Sequence, residues 1–297
     1  MPPAPIAVIV NPTAGPASRR PSRERCSTIA TRVCDAAGLV SEVVFTQRPG
    51  HARALAGAFA ERGFSPVVAW GGDGTVNEVA GALVGRPTAM GIVPVGSGNG
   101  LARELGISLR PDQAMDTAAR GGDRRIDAGE LGGRIFVNMA GVGLAASVAA
   151  LFARLAGRGL LRYVRATIAE VLSYDPRRYR VTVDGETIER RALLLEIANG
   201  RQYGNGALIA PRARLDDGRL DIVVVAPMGP LGVALGVPRL FGGTLDRHPR
   251  VEMRTGVEIT ISSDDPMPFH VDGEPGEGTR DLTARVRPGA LVVRVNR

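Results

Sequence analysis

Three stretches of this sequence gather small residues where an anion would be held, and one of them carries an acid. Residues 70 to 78 read WGGDGTVNE, so Asp73 stands among Gly71, Gly72 and Gly74 directly after an apolar run. Asn11-Pro12-Thr13-Ala14-Gly15 and Gly96-Ser97-Gly98-Asn99-Gly100 are the other two. Glycine lets backbone N–H groups come close to a phosphate, and a helix that starts just after the loop adds its partial positive end. Asp73 is the odd member, because a carboxylate beside a phosphate is repelled unless a metal ion or a proton transfer compensates. That points it toward the chemistry. Thr75 and Glu78 also fit the T-x-x-E capping box, which would use both to close the N-terminus of the next helix.

The tripeptide Asp-Gly-Glu occurs twice, at 184–186 and 272–274. The first lies between RYRVTV and TIERRALLLEI, where Asp-Gly is a hairpin signal, and is read as structural. His51, His248 and His270 show no metal-ligand spacing and are expected to be solvated or packed. Arg19, Arg20 and Arg23 follow the first loop and are placed either to reach phosphates or to open a solvated helix.

The elements that must carry these loops are legible from periodicity. Up to about residue 128, short β-rich runs (PIAVIV, SEVVF, SPVVAW, AMGIVP) alternate with helical segments (SRERCSTIATRVCDAAG, GHARALAGAFAERG, TVNEVAGALVG, GLAREL). Such alternation predicts βαβ units around a parallel sheet, with ligands at the carboxyl ends of the strands. All three small-residue loops follow strands and belong to that edge. Beyond about 129 one long helical stretch, 143 to 174, is followed by strand-like pieces joined by turn signals, which predicts a β-rich second domain. The domains are therefore 1–128 and 129–297. PMGPLGVALGVPRLFGG, residues 227 to 243, is apolar and weakly charged, and fits either a packed helix or a surface that meets lipid.

Composition narrows the chemistry. The chain has 297 residues, 44% of them hydrophobic and 23% charged, as in a globular protein. Its net charge is +7, and all 37 basic residues are Arg, with no Lys. Attraction to an anionic partner follows. A Walker A loop, a protein-kinase lysine and a Schiff-base mechanism are excluded, because each needs an amine. Aromatics at 4% and the lack of a recognised motif argue against nucleic acid. Cys26 and Cys34 read as reduced core thiols. Neither a spanning run nor a signal-peptide start is seen, so the expected location is cytoplasmic.

GGDGTVNEVA, preceded by NPTAG and followed by PVGSGNGLAREL, resembles the catalytic domain shared by bacterial diacylglycerol kinases, related lipid kinases, and sphingosine and ceramide kinases. GGDGT is shared more widely, with NAD kinases and phosphofructokinase-like folds. FVNMAGVG (136–143), ANGRQYGNGALIAPRARLDDGRLDIVVV (198–225) and HVDGEP (270–275) resemble the same family in the expected order, so the likeness spans nearly the whole chain. It implies an α/β N-terminal nucleotide-binding domain, Rossmann-like, and a C-terminal β-sandwich-like domain, with ATP and a lipid hydroxyl meeting in the cleft between them.

Carried over residue by residue, the resemblance puts Gly72, Asp73, Gly74 and Thr75 in the ATP and catalytic loop. Asn11 begins the first phosphate loop, Thr46 sits near the nucleotide, and Gly96, Ser97, Gly98 and Asn99 line the third loop. Glu78 caps or steadies the second. Asp272 joins Asp73 as a candidate general base. Glu274 links to a metal region that includes Asp216 and Asp217, although Asp216-Asp217-Gly218 also reads as a turn before a strand. Asp127 matches a family acid near the cleft and equally fits a strand end. Two departures touch lipid identity: Pro16 stands where many bacterial diacylglycerol kinases have Lys or Arg, and Asn99-Gly100 where they show Asn-Asp.

The resemblance thus implies an ATP- and Mg²⁺-dependent kinase for a lipid hydroxyl, diacylglycerol-type favoured and sphingosine or ceramide the alternative. It implies a membrane lipid substrate, peripheral docking on an anionic membrane surface, and compatibility with a homodimer. An NAD kinase and a non-catalytic nucleotide- or lipid-binding regulator are the more distant alternatives.

Overall fold

The computed structural model describes residues 3–15, 22–154 and 174–296. Pro16, Arg19, Arg20 and residues 155–173 of the expected long helix lie outside them. The chain forms two compact units: residues 1–128 with 289–297, and residues 129–288.

In the first unit the strands are β1 (Ile6–Val10), β2 (Ser41–Phe45), β3 (Val67–Gly71) and β4 (Met90–Pro94), linked by α1 (Arg23–Ala36), α2 (His51–Glu61) and α3 (Asp73–Leu83). Then come α4 (Gly100–Glu104) and α5 (Pro111–Arg120). Every residue of β1, β3 and β4 is buried. Continuous apolar runs of this kind suit a parallel sheet covered on both faces. All neighbours are parallel, in the order β2-β1-β3-β4. The chain moves outward from β1 to β2, then steps back past β1 to β3. Right-handed crossovers therefore put α1 on one face, beside α5, and α2 and α3 together on the other. The reversal makes a topological switch point between β1 and β3, the place where such sheets bind ligands.

The last residues of the chain complete this unit, where the sequence reading had assigned them to the second domain. Val293 pairs in parallel with Met90, the Gly85 N–H donates to the Ala290 carbonyl at 2.8 Å, and the Gly289 N–H donates to Asp127 Oδ1 at 2.7 Å. Both cysteines are buried and free.

The second unit is built on β5 (Gly122–Leu131, which crosses into it), β6 (Arg134–Phe136), β7 (Met139–Gly143), β8 (Arg177–Val183), β9 (Glu186–Ala192), β10 (Leu194–Ala198), β11 (Gln202–Gly204), β12 (Ala207–Leu208), β13 (Leu220–Val225), β14 (Val251–Gly256), β15 (Glu258–Val271) and β16 (Glu274–Val295). The order β14-β13-β10-β7-β15-β16 is antiparallel throughout. Alternate residues supply two cores: Leu195, Ile222 and Val142 belong to one, Ala198, Val223 and Met139 to the other.

Helix α6 (Leu144–Arg154) follows β7, and α7 (Pro230–Phe241) follows β13. Helix α7, within the apolar stretch 227–243, has one packed face and one exposed face. Val233 and Leu240 pack on the second core, whereas Leu231, Leu235, Val237 and Phe241 are exposed. No helix among the described residues is long and apolar enough to cross a membrane.

Candidate functional site

The loops that leave β1, β3 and β4 are tied to one another by their own side chains. Asn11 Nδ2 donates to Thr75 Oγ1 at 3.0 Å, which joins the first loop to the second. Asn11 Oδ1 meanwhile accepts from the Thr13 N–H at 3.0 Å and holds its own turn. Asp73, at the start of α3, joins the second loop to the third: its oxygens accept the N–H groups of Asn99 at 2.9 Å and Gly100 at 2.7 Å. Asn99 is left-handed at φ 53° and closes the third loop through Gly96, accepting from its N–H and donating to its carbonyl, both at 2.9 Å.

Glycine makes these approaches possible. A Cβ on Gly96 would lie 2.7 Å from Gly72 Cα, and one on Gly15 would collide with the Val95 carbonyl. Gly74 lies in the first turn of α3, Ser97 is exposed at the tip of the third loop, and Gly98 accepts from Arg103 Nε at 3.1 Å. Thr46 is buried just beyond β2, its N–H on the Val10 carbonyl at 2.9 Å. Arg23 lies over the Phe45 ring at 5.1 Å, and both border a shallow hollow that Asn11 also lines.

The capping box expected for α3 does not form. Its N-cap is Gly72, with no side-chain bond. Glu78 instead turns to α2, where Oε1 accepts the Gly50 N–H at 2.8 Å and Oε2 accepts those of Ala52 at 2.9 Å and Arg53 at 3.4 Å. Gly50 has no side chain to cap that helix, so a carboxylate from the next helix satisfies its free N–H groups and meets its positive end.

In the second unit Asp272-Gly273 turns β15 into β16, with Val271 paired to Glu274. Asp272 Oδ1 accepts the N–H groups of Asn138 at 3.0 Å and Met139 at 2.9 Å, and Oδ2 accepts that of Val137 at 2.9 Å. Asn199 Nδ2 supports the same segment by donating to the Val137 carbonyl at 3.0 Å. An ionised carboxylate is an acceptor only, so a row of N–H donors fixes its orientation. Glu274 is exposed on the strand that leaves the turn.

Beneath this turn lies a pair that the sequence reading missed. His270, expected to be solvated or merely packed, is 2% exposed and places Nε2 3.0 Å from Oε1 of Glu196, which is fully buried. Burial pulls the His270 pKa down, but the Glu196 charge and hydrogen bond, helped by Asp272 and opposed by Arg134, leave it raised above the ordinary value.

The acids expected at the metal region are not gathered. Asp217 Oδ1 accepts the Arg219 N–H at 3.1 Å in a turn before β13, and Asp216 faces Arg214 at 3.6 Å. Among the described residues no three His, Cys, Asp or Glu side chains converge on one point, so Asp216, Asp217 and Glu274 do not form a ready-made metal centre. Asp127 is buried as a structural acceptor for the returning chain.

The comparisons with known proteins agree with this architecture. Residues 5–131 match the diacylglycerol kinase catalytic domain, and residues 138–295 match the YegS C-terminal NAD kinase beta sandwich-like domain. The "Probable lipid kinase YegS-like" protein of Pseudomonas aeruginosa is 35% identical over 272 residues, covering 86% of this chain and 85% of its own. Its namesake in Chromohalobacter salexigens is 34% identical over 251 residues, covering 80% and 78%. A crystal structure of a diacylglycerol kinase from Bacillus anthracis superposes with a TM-score of 0.76 at 20% identity, over 98% of this chain and 97% of that one. The chain belongs to the family of lipid kinases with a diacylglycerol kinase catalytic domain. Its fold is the family's α/β domain followed by a β-sandwich-like domain.

Proposed function

We propose that the protein transfers the γ-phosphoryl group of ATP to a hydroxyl of a membrane lipid, a diacylglycerol-type lipid above others. The observation that carries this reading is the set of three loops stitched together at the β1/β3 switch point, with Asn11 tying the first to the second and Asp73 the second to the third. Phosphoryl transfer is mainly a matter of positioning and charge stabilisation, so loops that hold N–H donors rigidly suit it. Asn11, Thr46, Gly72, Gly74, Thr75, Gly96, Ser97, Gly98 and Asn99 are proposed to face the nucleotide. The 1–128 region is proposed as the nucleotide half, and the β-rich region after 129 as the lipid half.

A lipid hydroxyl is a poor nucleophile and needs a carboxylate to take its proton. Asp73 and Asp272 are the proposed candidates, each oriented by backbone N–H groups. Mg²⁺ commonly binds through one or two carboxylates together with substrate phosphates, so its arrival on ATP is compatible with the lack of a three-acid cluster among the described residues. Bound there, it would neutralise charge on the transferred group.

Peripheral association with an anionic bilayer is part of the proposal. Helix α7 supports it with Leu231, Leu235, Val237 and Phe241 exposed, an exposed Arg239 and no acidic residue. Leu235→Ser with Phe241→Ser would remove roughly 3 to 6 kcal/mol of burial if both side chains inserted fully. That variant is expected to lose vesicle binding and activity on vesicles while keeping its melting temperature. Leu240 packs on the core and is left intact. Vesicle binding that ignores both salt and this variant would reject the docking surface.

The deciding experiment incubates the purified protein with labelled ATP and vesicles carrying diacylglycerol, sphingosine, ceramide or phosphatidylglycerol. Label in the diacylglycerol product is expected, and a soluble product or none would reject the reading. Asp73→Asn is expected to reduce transfer at least ~10²-fold. Its amide presents one oxygen to two N–H donors, so the KM for ATP is expected to rise as well.

A further inference from the structure

Glu196, Gly141 and His270 occupy one row across three strands: Gly141 of β7 is in register with Glu196 of β10 on one side and His270 of β15 on the other. Residues opposite one another in antiparallel strands project from the same face, and strands two apart are separated by roughly 9.5 Å. Glu196 and His270 nevertheless meet at 3.0 Å. They reach each other because the residue between them has no side chain. A Cβ on Gly141 would lie 2.6 Å from Glu196 Oε2 and would also strike the Leu195 carbonyl.

The pair is connected to the turn above it. His270 Nδ1 accepts the Gly273 N–H at a long 3.4 Å, while the Asp272 N–H donates to the Met139 carbonyl, two residues before Gly141, at 2.8 Å. Tyr203 also donates its hydroxyl to Glu196 Oε1, at 3.4 Å. Glu196 Oε2 is buried and has no hydrogen-bond partner among the described residues. A buried carboxylate with one oxygen unsatisfied is costly compared with apolar packing. Its position directly under the Asp272 turn gives that cost a use.

We propose that the Glu196–Gly141–His270 row is a positioning device that fixes the Asp272-Gly273-Glu274 turn, with Glu196 holding the His270 ring so that Nε2 carries the proton and Nδ1 receives the Gly273 N–H. His270 and Glu196 are positioning residues and touch no substrate. The groups facing His270 are Glu196, Asp272 and Arg134, with Tyr203 acting through Glu196. The inference rests on the kinase reading only for its effect on turnover.

The test joins a spectrum with kinetics. In the wild-type protein, long-range ¹H–¹⁵N spectra should show the neutral His270 protonated on Nε2, and the Gly273 amide should follow the titration of that ring. In Glu196→Gln the His270 pKa should fall below the ordinary value, because burial persists while the carboxylate charge is gone. The Gly273 and Glu274 amides should shift with it, and kcat should drop roughly 10 to 100-fold while the KM for ATP stays close to wild type. Gly141→Ala should reproduce the spectral changes by filling the slot. If that variant does not fold, the wild-type spectrum and Glu196→Gln decide.

Protonation on Nδ1 in the wild type would overturn the proposal, as would unmoved Gly273 and Glu274 amides or an unchanged kcat in folded Glu196→Gln. If the wild type phosphorylates no lipid, the kinase reading fails while the tautomer and amide shifts still decide the hold of this row on the turn.

Discussion

The two hairpins that carry Asp-Gly-Glu turn through nearly the same backbone. Asp184 and Asp272 sit at φ 49° and 47°, followed by glycines at 92° and 82°. Each turn has two residues between the last paired positions, Val183 with Glu186 and Val271 with Glu274. Each aspartate also accepts backbone N–H groups, Asp184 from Val257 and Glu258, Asp272 from Val137, Asn138 and Met139. The sequence reading gave hairpin chemistry to the first alone; both obey it, since two central residues with positive φ favour Asp-Gly wherever it occurs. What separates them is the setting. Asp184 is exposed, while Asp272 is partly buried beside the His270–Glu196 pair. A motif therefore specifies a bend, and the strands beneath decide what surrounds it.

The sharpest way to break this comparison is to make the same change at both aspartates. Asp272→Asn is expected to lower kcat by about 10² to 10⁴-fold. Asp184→Asn should retain near wild-type turnover and lose at most about 1 kcal/mol of stability, the scale of one net hydrogen bond. Equal kcat losses would show that the two settings are equivalent.

The glutamates should separate less widely. Glu274→Gln is expected to reduce activity clearly. Glu186→Gln should leave it unchanged, because Glu186 makes a 3.5 Å ion pair with Arg254 from a side chain that is 83% exposed, and such pairs contribute little. Steady-state rates on vesicles compare the two directly.

The smallest effect is thermodynamic. His270 has a folded pKa raised above its ordinary 6.5. Its contribution is therefore fully present below about pH 6.5 and is lost as pH rises through the folded value, because the folded state binds the extra proton in that window. Glu196→Gln leaves burial to lower that pKa, so the sign reverses and this residue's contribution then grows as pH rises. Urea unfolding at several pH values should show a wild-type advantage over Glu196→Gln that shrinks from acid to alkaline pH. An advantage independent of pH would remove the ion pair from the comparison.

Legibility in the sequence followed the range of the interaction. β1, β3 and β4 were visible because burial on both faces demands unbroken apolar runs, and the loops after them because close approach demands glycine. Glu78 was misread because a capping box is a local pattern, whereas its partners Gly50, Ala52 and Arg53 belong to the preceding helix. Gly141 lay within a recognised stretch, FVNMAGVG, yet carried no assigned role. Its meaning depends on register with residues 55 and 129 positions away, which no period of 2 or 3.6 encodes. His270 looked solitary for the same reason. The two faces of α7 were blurred because both are apolar, so hydropathy alone did not separate the side that packs from the side left exposed.

The return of residues 289–297 to the first unit has a consequence for how the chain is made. During synthesis the polypeptide emerges N-terminus first and domains fold as they appear. Met90 in β4 has its parallel partner at Val293, so this edge of the nascent sheet must wait while the whole intervening unit leaves the ribosome. An unpaired strand edge is a template for association with other chains. The residues that finally cover it, with Asn296 bonded to Thr117 at 2.7 Å, act as the clasp that ends this vulnerable interval.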